Sequence, residues 1–170
     1  TTAICIDDAN RKWIGTQNNG VFLLSEDGKE TIHHFTEENS PLLSNYIQTI
    51  AIDSSTGSVF FGTSLGLIEY GGDATEPENS LSESNIEVYP NPVNPDFDGP
   101  VTIKGMSDKC TVRIVSASGS LIYQGYSNGG TFTWNVTDRN GNRVSSGIYH
   151  AIITDLNNSK STSVSITVIR

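Results

Sequence analysis

Apolar and polar residues alternate in short runs along the whole chain, and the runs end in Gly, Asn, Asp, Ser or Pro. Alternation with a period of two is typical of strands with one buried face, and these terminating residues are typical of turns. No apolar pattern of helical period continues over three turns. The pattern therefore predicts an all-β protein.

The first part of the chain repeats itself. Two stretches recur 46 or 47 residues later: Ile4-x-Ile6-Asp7 as Ile50-x-Ile52-Asp53, and Trp13-Ile14-Gly15-Thr16 as Phe60-Phe61-Gly62-Thr63. A period of roughly 40 to 50 residues with several strands per repeat is typical of propeller blades. Residues 1–71 are thus predicted to form two blades, with a fourth strand (Thr31 to Phe35) in the first blade alone.

The repeated stretches resemble the two-component-regulator propeller repeat. The glycine-led strands at Gly20 and Gly66 and the linker Pro41-Leu42-Leu43-Ser44-Asn45 belong to the same resemblance. Two blades cannot close a ring, and stacked repeats need about three members for stability. We expect an incomplete β-propeller cut from a longer protein, whose missing strand comes from elsewhere in that protein. The alternative is a stack with exposed faces that oligomerises.

Residues 72–85 are mostly polar, with Ser and Glu the commonest residues and Leu81 the single large apolar one, and this composition predicts a flexible linker. Seven strands at short spacing follow in residues 86–170, which predicts an immunoglobulin-like antiparallel β-sandwich. The turn sequence Asp138-Arg139-Asn140-Gly141 lies between two alternating arms, so Trp134 to Tyr149 is predicted to be a hairpin with both aromatic rings in the core.

A second resemblance rests on spaced residues of this half. Tyr89, Pro90, Asn91 and Pro92, followed by Trp134, Asp138, Gly141, Gly147 and Tyr149, resemble the C-terminal sorting domain of type IX secretion cargo. The immunoglobulin-like domain of the flagellar hook-capping protein shares this spacing, so the motif residues are expected to be mainly structural. One departure is Ser116 to Ser120, where the sorting family often has Asp-x-x-Gly-Arg.

The sorting resemblance implies that the end of the chain is read by secretion or surface-attachment proteins. The residues expected to carry this interaction are those of the last strand and its end: Val164, Ile166, Val168, Ile169 and Arg170. The implied location is the outer-membrane or extracellular surface of a Gram-negative bacterium, reached through the periplasm. The resemblance also suggests a lipopolysaccharide or another glycan as a ligand.

Charge and hydropathy exclude two classes of function. The chain has a net charge of −9, and residues 1–75 contain ten acidic and three basic residues. Nucleic-acid binding is not expected, because it needs a basic stripe. No apolar run approaches the roughly 18 residues of a transmembrane segment.

No constellation of residues predicts catalysis. His33 and His34 are adjacent on a strand and point to opposite faces, so they cannot bind one metal ion. The loops at Asp96 to Gly99 and Asp138 to Asn142 offer oxygen ligands for calcium but too few carboxylates. Cys5 and Cys110 are expected to be buried apolar residues. No catalytic residue, cofactor or metal is predicted.

The residues therefore favour a non-catalytic surface protein with a propeller as interaction scaffold and a sandwich as secretion signal. By resemblance, such a protein would assist the modification and attachment of other cargo. A second hypothesis is the periplasmic glycan-sensing region of a hybrid two-component regulator. A third is a purely structural or adhesive module.

Overall fold

The computed structural model describes residues 1–170 and confirms the all-β fold class. A single 3₁₀ turn, Glu83–Asn85, is the only helical element. The chain divides into two compact units, Thr1–Glu76 and Pro77–Arg170. The structure has no helix of the length and hydropathy that crossing a membrane requires.

The first unit consists of two antiparallel sheets in which neighbouring strands are consecutive in sequence. The four-stranded sheet comprises β1 (Ala3–Ile6), β2 (Lys12–Gly15), β3 (Val21–Leu24) and β4 (Thr31–Phe35); the three-stranded sheet comprises β5 (Ile47–Asp53), β6 (Ser58–Thr63) and β7 (Gly66–Gly71). These bounds agree with the two predicted blades, including the fourth strand in the first blade only. Gly20 before β3 has φ +66°, and a Cβ there would lie 2.0 Å from the Phe35 carbonyl oxygen.

An aromatic cluster joins the two blades. The Trp13 ring is fully buried, and its centroid lies 5.6 Å from that of Phe61 and 5.6 Å from that of Tyr70. Val21 and Leu23 of β3 are buried in the same cluster. Alternation places these residues on one face of the first blade, so that face is covered by the second blade.

A buried ion network closes one end of this unit. The Arg11 guanidinium donates to Asp7 at 2.8 Å and to Asp73 at 2.7 Å, and the Trp13 indole N–H donates to the same Asp7 carboxylate at 3.1 Å. Burial alone would lower the Arg11 pKa, but the two carboxylates outweigh it and raise the pKa. Arg11 thereby connects the turn after β1 to the segment after β7.

The second unit contains the seven predicted strands. One sheet has the order β11, β10, β13, β14 and the other has the order β12, β9, β8. The strands are β8 (Glu87–Tyr89), β9 (Val101–Lys104), β10 (Cys110–Ser116), β11 (Leu121–Tyr126), β12 (Phe132–Trp134), β13 (Gly147–Asp155) and β14 (Ser161–Val168). Buried residues of both sheets form one core, as in an immunoglobulin-like sandwich.

The hairpin predicted between Trp134 and Tyr149 is wrong. β12 pairs with β9, whereas β13 pairs with β10 and β14, so the two arms lie in different sheets. Only the turn itself is hairpin-like, with a bridge between Thr137 and Arg143. Local alternation cannot distinguish a hairpin from a connection that crosses between two sheets.

The segment predicted to be a flexible linker is divided between the two units and has a buried residue in each. The units divide between Glu76 and Pro77, inside that segment. Ala74 is 2% exposed in the first unit, and Leu81 is fully buried in the core of the second. One large apolar side chain is enough to anchor a segment whose average composition favours disorder.

Candidate interaction site

The motif Tyr89-Pro90-Asn91-Pro92-Val93 forms a strap along the outer edge of β14. Its Asn91 side chain donates to the Ser165 carbonyl oxygen at 2.9 Å and accepts from the Thr167 N–H at 3.0 Å. The amide group of Asn91 thus takes the place of a peptide group in a neighbouring strand. Both X-Pro bonds of the strap are cis.

Val93 continues the pairing with its backbone. The Val93 N–H donates to the Thr167 carbonyl at 2.8 Å, and the Ile169 N–H donates to the Val93 carbonyl at 2.9 Å. Val93 forms a parallel bridge with Val168 and is 1% exposed. The end of β14 is therefore bonded on one side by β13 and on the other by the strap.

The predicted sorting residues fall into two groups that differ in burial. Ile166 and Val168 are buried in the core, and Val164 packs against it, so these three side chains support the fold of β14. Ile169 is 44% exposed, and Arg170 is exposed. Of the five predicted sorting residues, only Ile169 and Arg170 have exposed side chains.

Arg143 adds a further cationic group at this end of the unit. Its guanidinium donates to the Phe97 carbonyl at 2.6 Å and to the Asp98 carboxylate at 3.1 Å. Arg143 and Arg170 line the same small cleft, together with Asn94 and Pro95 of the loop after the strap. Sequence reasoning missed Arg143, because no motif connects it with the end of the chain.

The other motif residues have structural roles. The Trp134 and Tyr149 rings are buried with centroids 5.5 Å apart, and their polar atoms donate to the carbonyls of Thr137 and Ser145. Burial raises the Tyr149 pKa. Gly141 has φ +82°, which suits glycine in the turn after Asp138, whereas Gly147 is the exposed first residue of β13.

The turn carboxylates are engaged by the protein itself. Asp138 accepts the N–H groups of Asn140 and Asn142 at 2.8 and 2.9 Å, and hydrogen bonds from Asn142 are the main cause of its lowered pKa. No group of three or more His, Cys, Asp or Glu side chains suitable for a metal ion occurs in the structure.

The predicted histidines and cysteines are dispersed. His34 stacks on Phe22 with ring centroids 3.9 Å apart, and His33 lies near Phe35 at 5.5 Å. Both thiols are free. Cys110 is fully buried, as expected, and burial raises its pKa, whereas Cys5 is only half-buried.

A buried carboxylate that the sequence did not single out supports the far end of β13. Asp155 is 2% exposed and accepts from the Ser107 hydroxyl at 2.7 Å, the Asn157 N–H at 2.8 Å and the Asn158 side chain at 3.0 Å. The Ser107 hydroxyl is the largest cause of its lowered pKa. The hydrogen bonds from Asn157 and Asn158 to Asp155 stabilise the turn before β14.

Comparison with known proteins relates this site to secretion. Residues 87–167 match the secretion system C-terminal sorting domain family. The structure of PorZ, described as an essential surface component of the type IX secretion system of Porphyromonas gingivalis, is 39% identical to the chain with a TM-score of 0.63. The match covers 98% of this chain and 22% of PorZ, so the chain spans about a fifth of that protein.

Two further solved structures are similar at 14% identity. Dimeric latent PorU from Porphyromonas gingivalis matches 66% of this chain and 12% of its own, with a TM-score of 0.38. The extracellular domain of the hybrid two-component system BT4673 from B. thetaiotaomicron matches 98% of this chain and 25% of its own, with a TM-score of 0.34. No curated protein sequence matches the chain.

The sorting family and the similarity to PorZ assign the protein to the bacterial surface or to attachment at the outer membrane. Residues 87–167 therefore belong to the secretion system C-terminal sorting domain family, and the protein is a surface protein related to type IX secretion.

Proposed function

We propose that the protein is non-catalytic, that the second unit is the signal for its export, and that the first unit is an interaction scaffold. The match of residues 87–167 to the sorting family carries the proposal. Within this unit, Ile169 and Arg170 are the predicted sorting residues that a partner can reach. The strap fixes the end of β14, and these two residues follow directly after that strand.

The scaffold role is supported by the repeat itself. Ile4 and Ile6 on the outer face of the first blade are 65% and 57% exposed. Their counterparts 46 residues later, Ile50 and Ile52, pack against the cluster between the blades. A further blade with its own counterpart of Trp13 would cover Ile4 and Ile6, as the first blade covers Ile50 and Ile52. Such contacts between neighbouring repeats are typical of repeat proteins.

A role in handling a glycan is a finer part of the proposal. The first unit contains a cleft of about 360 Å³ lined by Phe35, Phe61 and Tyr70, with Asn39 and Glu69 among its polar groups. Apolar and aromatic walls with few polar groups are typical of ligand pockets. By its similarity to PorZ, we propose that the whole protein assists the modification and attachment of cargo, with a lipopolysaccharide as a candidate ligand.

The export role is tested by changing the exposed end of the chain in the full-length protein. The double substitution Ile169→Asp and Arg170→Glu leaves the core untouched. Its matched control, Leu156→Asp and Lys160→Glu, makes the same changes at exposed positions in the turn before β14. We expect surface protein, quantified by antibody binding to intact cells, to fall about tenfold for the first variant, as for a contact worth ~1.4 kcal/mol.

The control should reach the surface as the unchanged protein does. Equal surface amounts of both variants would contradict the export role. Retention of both in the periplasm, together with glycan binding there, would instead favour the sensor hypothesis, which stays a prediction.

A further inference from the structure

β14 is a long edge strand without the usual protection against pairing. It has eight residues, Ser-Thr-Ser-Val-Ser-Ile-Thr-Val, with no charged residue and no proline. It lies at the end of its sheet, next to β13. Natural edge strands are normally shortened, charged, interrupted by proline or covered, because their unpaired backbone groups bind other strands.

The strap covers only the second half of this edge. Its bonds reach Ser165, Thr167 and Ile169, all odd-numbered residues. Backbone groups alternate between the two sides of a strand, so the N–H and C=O of Ser163 point to the same outer side. The N–H of Ser165 also points outward, since the strap contacts only its carbonyl. No backbone partner meets these groups, and Ser163 and Ser165 are exposed.

A groove runs beside this open half. It has a volume of about 420 Å³ and is lined by Ser161, Thr162, Ser163, Ile152 and Glu83. Glu83 belongs to the 3₁₀ turn Glu83–Asn85 and is the only charged residue of the lining. The groove therefore combines backbone groups free to pair with one apolar contact and one negative charge.

We propose that the edge from Ser161 to Ser165 is a strand-addition site for an extended segment of a partner protein. The occupant is a β-branched strand whose one charged residue is a basic side chain placed near Glu83. The strap shows that this edge accepts an extended segment in parallel, because Val93 already pairs there with Val168. The proposal rests on the export role, and the partner is a protein that reads the sorting domain.

Five residues of extended chain offer about 16 Å for pairing. Main-chain hydrogen bonds give such strand additions their affinity, and neighbouring side chains give them specificity. The strap limits the length of the added strand, because Asn91 occupies the edge from the Ser165 carbonyl onward. Partner binding at this edge is consequently separate from contacts made by Ile169 and Arg170.

The test removes one backbone donor without changing the core. Ser163→Pro deletes an N–H that no residue of this protein accepts, and Ser163→Ala is the matched control that keeps it. The amount of full-length protein at the cell surface should be about tenfold lower for Ser163→Pro than for Ser163→Ala. A lost pairing contact worth ~1.4 kcal/mol gives this ratio. The melting temperature of each purified variant reports whether the fold is intact.

A second pair keeps the test valid if proline disturbs the sheet. Glu83→Arg reverses the charge of the groove at an exposed position, and Glu83→Gln only removes it. We expect a larger loss of surface protein for Glu83→Arg than for Glu83→Gln, with unchanged melting of both.

The outcomes separate this inference from the export role. Normal export of folded Ser163→Pro and of Glu83→Arg, with loss of export for the Ile169 and Arg170 variant, would overturn strand addition and leave the signal role intact. Normal export of all these variants would overturn both. A dimer in sedimentation that Ser163→Ala keeps and Ser163→Pro loses would assign the edge to a second copy and also overturn the proposal.

Discussion

Arg11 lies at the centre of the buried ion network of the first unit. Its guanidinium is about 10% exposed and lies between two carboxylates, one of which, Asp7, is 2% exposed. Asp7 also holds the Trp13 indole and the turn before β2. Removing one partner of a buried ion pair leaves an uncompensated charge, which costs far more than the pair itself contributes.

We therefore expect Arg11→Ala to lower the free energy of unfolding of the first unit by about 3 kcal/mol. Lys29→Ala is the control, because the Lys29–Asp27 pair is exposed and such pairs contribute roughly 0 to 1 kcal/mol. Each unit contains one tryptophan, so urea unfolding followed by Trp13 fluorescence in a Trp134→Phe background reports the first unit alone. Equal urea midpoints for both variants would contradict the network's role.

Asp155 is expected to make the second unit sensitive to acid. Its folded pKa is lowered, mainly by the Ser107 hydroxyl, so its contribution to stability is present above the unfolded pKa of about 3.9. That contribution is lost as the pH falls through the lower folded value. Asp155→Asn should reduce stability at pH 7 by about 1 to 2 kcal/mol and should weaken the dependence on pH below 4.

Urea unfolding followed by Trp134 fluorescence at pH 7 and pH 3, in a Trp13→Phe background, measures this dependence. Asp108→Asn, at an exposed neighbouring position, serves as the control. A pH dependence that is the same in the Asp155 variant as in its parent would show that other carboxylates cause the acid sensitivity.

At the scale of elements, the strap holds the outer edge of β14 through contacts whose effect can be measured. Its proline residues carry no N–H, so the strap pairs through Asn91 and Val93 alone. β14 contains Ile166 and Val168, which are both in the core. The strap thus holds a strand that supplies core residues and also leads to the exposed chain end.

Asn91→Ala should destabilise the second unit by about 1 kcal/mol, because it removes two exposed hydrogen bonds of modest net value. The more specific expectation is faster hydrogen exchange of the Thr167 amide, which loses its acceptor. Asn94→Ala, at the next exposed asparagine along the chain, should leave both properties unchanged. Unaltered exchange at Thr167 in the Asn91 variant would contradict the strap.

At the scale of the whole molecule, the exposed face of the first blade indicates how the first unit is completed. Ile4, Ile6 and Ile32 are large apolar residues at 65%, 57% and 41% exposure. Contiguous exposed apolar surface usually marks a binding face. The proposed occupant is a further blade, and in its absence this face should favour self-association.

The double substitution Ile4→Lys and Ile6→Lys should therefore shift the 170-residue chain towards monomer in sedimentation velocity. Leu65→Lys together with Leu67→Lys is the matched control, at residues 70% and 66% exposed elsewhere in the unit. Association that responds equally to both pairs would indicate non-specific apolar contact instead of a blade-binding face.

Local patterns were enough to predict most strands. The alternation of period two and the turn residues predict all seven strands of the second unit, and the repeat predicts both blades with the strand missing from the second. These features are encoded within a few residues, or copied at a fixed spacing, so they can be read without knowledge of the fold. The sorting motif can also be recognised in the sequence, because its residues have the types that turns and the core require.

Only the tertiary structure decided which segments meet. Asn91 bonds to Thr167, 76 residues away, and Arg11 bonds to Asp73, 62 residues away. Such pairs leave no local pattern, because neither partner's neighbours reveal the other. For the same reason the sequence predicted a hairpin at Trp134 to Tyr149 where the chain crosses between sheets. The sequence thus determined the strands and their buried faces. Packing determined which segment pairs with each strand edge, and so which part of the β14 edge has no backbone partner.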